Sequence, residues 1–108
     1  MDFYAIQKEV YEIAYKNGWY DTDIKPSFGE FIAGCHLELS EAFQEYRNQS
    51  AATKIENELA DVVIRIMGYC YRMGFELEKS ILRKNEYNRT RPFKHGGKRL
   101  WELEDYLK

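Results

Sequence analysis

Four carboxylates, Glu38 and Glu41 in "HLELSEAFQEYR" and Glu58 and Asp61 in "IENELADVVIRI", occur as two acid pairs with a three-residue step. Such a step keeps both members of a pair on one face of a helix. If the chain folds back between the pairs, residues whose numbers sum to 99 stand at equal height, with the fold point between Gln49 and Ser50. Glu38 with Asp61 meets that sum, and so does Glu41 with Glu58. At about 100° per residue, both pairs are displaced in the same rotational sense from the apolar seams of their helices. An antiparallel hairpin therefore carries all four acids on one flank, and the pattern predicts a tetracarboxylate cluster.

Four negative charges so close repel one another, and without a partner some must take up protons. Divalent cations relieve this directly. Oxygen-only ligands suit hard ions, which points to Mg²⁺, with Mn²⁺ as a substitute, and Mg²⁺ keeps positions for water and substrate phosphates. A di-iron bundle would want histidine three residues after a ligand glutamate, where this chain has Glu41 and Asp61. The bland alternative is a solvated acidic edge neutralised by Arg65 or by a partner's lysines.

The elements that must position these acids are helices, since apolar residues recur by threes and fours and no stretch alternates with period two. Phe3, Ile6, Val10 and Ile13 mark a first helix stopping near Asn17 and Gly18. A loop, "WYDTDIKP", leads to a capping box formed by Ser27 and Glu30. The second helix then runs to about Arg47 along a seam of Phe28, Ile32, Cys35, Leu39, Ala42 and Tyr46. After "NQSAAT", a second box at Thr53 and Glu56 opens a third helix through Ile55, Leu59, Val62, Ile66 and Met73, ending at Gly74. A fourth covers roughly 76 to 90 and stops before Pro92. "FKHGG" reads as a loop and "LWELEDYL" as a short closing helix packing Leu100, Leu103 and Leu107.

Composition sets the class. A chain of 108 residues with 31% charged and 44% hydrophobic residues reads as one soluble all-α domain. It contains no run of 18 apolar residues, and "MDFYAIQKEV" lacks the regions of a signal peptide, so a cytoplasmic protein is expected. Cys35 and Cys70 lie in apolar helical stripes with no CxxC or Cys/His spacing and read as reduced core residues. A short chain whose third helix carries Val63, Met67 and Cys70 beyond its seam is expected to be covered by a second copy.

The net charge of −2 hides a polarity: residues 1 to 82 hold 14 acids and 8 bases, whereas 83 to 99 hold 7 bases and Glu86 alone. Lys84, Asn88 and Arg91, spaced by four and three, share one face if the helix persists to Arg91. Their ammonium, amide and guanidinium suit a polyphosphate. His95, beside two glycines in this basic stretch, can donate to phosphate. Trp19 and Tyr20 can stack on a base or serve in packing. His36 reads as structural or exposed.

"ELSEAFQEYR", then the sixteen residues from Ala42 to Asn57 between the acid pairs, then "ELADVVIRI", resembles the MazG-like branch of the all-α nucleoside triphosphate pyrophosphohydrolases. The likeness spans about residues 25 to 99 and continues in "KNEYNRTRPFKHGGKR", similar to that family's Lys, Asn, Arg stretch and its HGGK-like loop, which brings in Lys98. The resemblance implies a four-helix bundle completed by dimerisation or tetramerisation. It also implies hydrolysis of a normal or modified nucleoside triphosphate to monophosphate and pyrophosphate, as in nucleotide-pool house-cleaning, with Mg²⁺ held by Glu38, Glu41, Glu58 and Asp61. Many members carry a glutamate doublet whose first residue orients the attacking water. Here Leu37 occupies that place, which leaves Glu45, a turn beyond Glu41 on the same edge, as a candidate beside a surface role.

Two further readings stand beside this one. The acidic hairpin and basic tail can belong to a non-catalytic helical binding module, although the tail's sparse aromatics and the acidic remainder argue against broad nucleic-acid affinity. Within the enzyme class, the substrate can be as narrow as dUTP or one modified nucleotide.

Overall fold

A computed structural model of the chain describes residues 2–20 and 27–92. These contain four α-helices and no strand: α1 (Phe3–Lys16), α2 (Phe28–Arg47), α3 (Ala52–Met73) and α4 (Leu77–Thr90). The chain divides into two compact units, Met1–Leu77 and Glu78–Lys108. The all-α reading holds, and no helix among the described residues is long and apolar enough to cross a membrane.

Local chemistry accounts for the helix ends. The Asp2 carboxylate accepts from the Ala5 amide at 2.8 Å, and Ser27 Oγ accepts from the Glu30 amide at 3.0 Å, so α1 and α2 start on side-chain caps. The third helix differs from expectation. It begins at Ala52 behind Ala51, with no side-chain cap, because Thr53 lies past the cap position inside the first turn, where the Lys54 amide bonds to the Ala51 carbonyl at 2.9 Å. All three helices of the first unit close with an amide reaching back over a left-handed residue: Trp19 to the Ala14 carbonyl at 3.1 Å, Ser50 to Glu45 at 3.0 Å and Phe75 to Cys70 at 2.9 Å. The left-handed residues are Gly18, Gln49 and Gly74, with φ of 85°, 55° and 76°. Gln49 is the non-glycine among them, and it sits at the fold point that the register sum requires.

In the first unit α3 is central, with α1 and α2 both packed against it. Its buried residues are Val62, Met67, Gly68, Tyr69 and Cys70, joined by Ala42 from α2 and Gln7 from α1. The Gln7 amide donates to the Met67 carbonyl at 3.1 Å, which satisfies the buried polar side chain. Phe31 lies flat on Tyr69, with ring centroids 4.0 Å apart and 4° between planes. Gly68 is a close-approach position, since a Cβ there would stand 2.9 Å from the Tyr20 hydroxyl.

The apolar seam of α2 is less covered than its periodicity predicts: Ala42 is buried, but Phe28 is 61% and Tyr46 68% exposed, and Leu39 is exposed too. α2 packs mainly on α3, and one neighbouring helix covers only part of the width of that stripe. On α3 the correction runs the other way. Met67 and Cys70, expected to await a second copy, are buried in the first unit, where α1 packs on α3, whereas Val63 stays exposed. Both cysteines are free thiols, and burial pushes both up from their ordinary pKa, so neither is a ready thiolate.

In the second unit, every residue of α4 from Ile81 onward is exposed, as are Arg91 and Pro92. Arg89 pairs with Glu86 one turn earlier. The "FKHGG" loop and the closing "LWELEDYL" segment lie outside the described residues.

Candidate functional site

The carboxylates of Glu38, Glu58 and Asp61 gather so that one oxygen from each lies within 4.8 Å of the others. Glu41 lies outside this mutually close set and stands beside Glu58, whose protonation it favours. The antiparallel register brings this about: Glu38 and Glu41 project from α2 at the heights at which Asp61 and Glu58 project from α3. Glu58 is pushed above the ordinary carboxylate range, first by desolvation, then by its hydrogen bond to Glu41, and then by the charges of Glu41, Asp61 and Glu38. Neighbouring negative charge that favours a proton on one carboxyl also favours a cation in the proton's place. The donor set is all oxygen and three of its atoms span a few ångströms, which fits a hard divalent ion.

One guanidinium is already in place. Arg65, a turn beyond Asp61 on α3, donates from Nη2 to Glu38 Oε1 at 3.0 Å. It lies against Gly34 of α2, where a Cβ would come within 2.6 Å of Nη1. Arg65 Nε is buried without a hydrogen-bond partner. A partly exposed ion pair of this kind contributes about 0–1 kcal/mol. An unpaired buried donor costs about 1–3 kcal/mol. Net stability therefore does not explain the placement of Arg65.

Glu38, Asp61 and Arg65 form one wall of a cavity of about 910 Å³ in the first unit. Other walls come from Trp19, Tyr20, Phe31, Tyr69 and Arg72. Tyr20 has the Arg72 guanidinium 4.7 Å from its ring centroid and Tyr11 stacked with it at 5.2 Å. Burial pushes the Tyr20 phenol up despite the lowering influence of Arg72, so its hydroxyl stays protonated and can donate. Trp19 lines the same cavity yet is 74% exposed, which leaves most of its ring open to solvent.

The remaining sequence candidates fall elsewhere. Glu45 is half-buried on α2 and does not join the carboxylate group. Leu37 is exposed, as is His36. Lys84, Asn88 and Arg91 belong to the second unit and are exposed. The helix carrying them ends at Thr90, one residue short of Arg91, whose amide bonds back to the Asn88 carbonyl at 3.2 Å. Within that unit the Lys84 ammonium and the Arg91 guanidinium both lie over the Tyr87 ring, at 5.0 and 5.8 Å from its centroid. His95 and Lys98 lie outside the described residues.

Sequence reasoning singled out Trp19 and Tyr20 but missed Phe31, Tyr69 and Arg72 as cavity walls, and it weighed Arg65 only as a neutralising charge. The register itself carried a signal for Arg65, because Gly34 and Arg65 also sum to 99. No family model, curated protein or solved structure matches this chain.

Proposed function

We propose that this chain is a divalent-cation-dependent nucleoside triphosphate pyrophosphohydrolase of the MazG-like kind. Its substrate is a normal or modified nucleoside triphosphate, and its role is to clear such nucleotides from the cytoplasmic pool. The observation that carries the reading is the convergence of Glu38, Glu58 and Asp61, with Glu41 beside Glu58, where Glu38 and Asp61 line a cavity large enough for a nucleotide.

These four carboxylates would hold Mg²⁺ or Mn²⁺, which when bound neutralises phosphate charge and lowers the pKa of an attacking water. The chemistry asked of the chain is then positioning and charge balance. Water attacks the α-phosphorus, the bond to the bridging oxygen of the β-phosphate breaks, and pyrophosphate leaves with the bridging oxygen. The rings of Trp19, Phe31 and Tyr69 offer an apolar wall against which a base can lie. Lys84, Asn88 and Arg91 are assigned to the phosphate chain on the motif resemblance, with His95 and Lys98 of the following stretch. Glu45 is the candidate for orienting the water, since Leu37 carries no carboxylate.

A homodimer or homotetramer belongs to this reading. Leu39, Phe43, Leu59 and Val63 are exposed apolar side chains on α2 and α3, and a second copy would cover them.

The test is product analysis over a panel of normal and modified nucleotides with Mg²⁺ or Mn²⁺. Monophosphate plus pyrophosphate supports the proposal, and nucleoside diphosphate with orthophosphate as sole products overturns it. The non-catalytic alternative, an acidic hairpin and basic tail serving as a binding module, would give no turnover with any member of the panel.

A further inference from the structure

Glu38 is the one member of the carboxylate group with a described cationic partner, and that partner is fixed from more than one side. Arg65 Nη2 donates to Glu38 Oε1 at 3.0 Å. The guanidinium lies on the backbone of α2 at Gly34, where an added Cβ would stand 2.6 Å from Nη1, 2.9 Å from Cζ and 3.2 Å from Nε. Nε is buried there without a partner. The Glu38 side chain is only 16% exposed, whereas Arg65 keeps 36%. Gly34 and Arg65 stand one helical turn from Glu38 and Asp61, on the same register rung sum of 99.

From this geometry we infer that Gly34 and Arg65 form a seat and clamp that hold Glu38 in place, making Arg65 the positioning residue of the carboxylate group and glycine at 34 a requirement of the site. The inference rests on the hydrolase reading above and deepens it. A glutamate has three rotatable side-chain bonds, and an unclamped Glu38 would have to be ordered each time a cation arrives. With one oxygen bonded to a guanidinium seated against the α2 backbone, the carboxylate is set before the cation binds. Partners of this kind around ligating carboxylates change metal affinity about 10- to 100-fold when removed. The positive charge of Arg65 acts in the opposite direction by repelling a cation. The two effects predict opposite signs, so one experiment separates them.

Mn²⁺ binding to the full chain is measured by titration calorimetry for wild type, Gly34→Ala, Arg65→Gln, Arg65→Lys and the double variant Gly34→Ala/Arg65→Gln, with thermal unfolding in EDTA as the check on folding. Clamping predicts about 10- to 100-fold weaker binding in Gly34→Ala and in Arg65→Gln. Arg65→Lys should fall with them, because it keeps the charge and loses the fork. The double variant should bind no more weakly than Arg65→Gln, since Gly34 acts only by seating Arg65. If Gly34→Ala does not fold, Arg65→Gln and Arg65→Lys decide the matter. Unchanged or tighter binding in Arg65→Gln would show that Arg65 only competes with the cation, and would overturn the inference while leaving the hydrolase reading intact. A wild-type protein that binds no Mn²⁺ would overturn that reading and the inference with it.

Discussion

Glu58 on α3 stands beside Glu41 of α2 across the hairpin, and desolvation together with the neighbouring Glu41, Asp61 and Glu38 carboxyls holds Glu58 above the ordinary carboxylate range. The folded state therefore binds a proton more tightly at Glu58 than the unfolded chain does. The contribution of this group to stability is fully present below the unfolded value and is lost as pH rises through the raised folded value. In EDTA, the melting temperature should fall as pH rises through that window, and Glu58→Gln should flatten the decline. Equal pH slopes for wild type and Glu58→Gln would show that the pair stores no such repulsion.

Asp61→Ala removes one of three gathered carboxylates from an exposed position. It should leave the fold intact and, by relieving repulsion, hold or raise the melting temperature of the metal-free protein. Turnover should drop at least about 100-fold, since metal stabilisation of the transition state is worth several kcal/mol and each 1.36 kcal/mol is tenfold. Steady-state rates with saturating Mg²⁺ check this, and retained activity would remove Asp61 from the site.

Gln49 occupies the left-handed position at the α2–α3 turn with φ of 55°. A side chain there is strained, while glycine adopts the conformation freely at some entropic cost in the unfolded chain. Gln49→Gly should stabilise the protein by about 0.5–1 kcal/mol. For a chain of this size, each kcal/mol moves the melting temperature by about 4–8 °C. A lower midpoint in urea would contradict the strain argument.

The exposed apolar side chains of Leu39, Phe43, Leu59 and Val63 predict self-association. Sedimentation at micromolar concentration should show a dimer or tetramer, and Phe43→Lys should shift it toward monomer. A stable wild-type monomer at that concentration would overturn the expectation of self-association.

For α4, Arg91→Lys and Lys84→Ala separate a phosphate-binding face from a solvated one. Loss of the planar fork should lower kcat/KM about tenfold in Arg91→Lys even though the charge remains. Wild-type kcat and KM in both variants would show that this face does not hold substrate.

The hairpin and the gathering of Glu38, Glu58 and Asp61 were legible in the sequence because both rest on local rules. Helical periodicity places the acid pairs on one flank, the Ser27 cap sets where α2 starts, and one turn at Gln49 sets the register, so residue numbers alone show which acids meet. The capping box expected at Thr53 failed for a reason equally local, since α3 starts at Ala52 and leaves that side chain inside the first turn. The cavity was not legible. Phe31 finds Tyr69, Tyr20 finds Gly68, and Gln7 reaches the Met67 carbonyl only because α1 and α2 both pack on α3, and the period of each helix carries no information about which neighbour it packs on. Arg65 lies between these cases. Its height opposite Gly34 follows from the same sum as the acids, but its burial against that glycine and its bond to Glu38 depend on how closely the two helices approach, which packing decides.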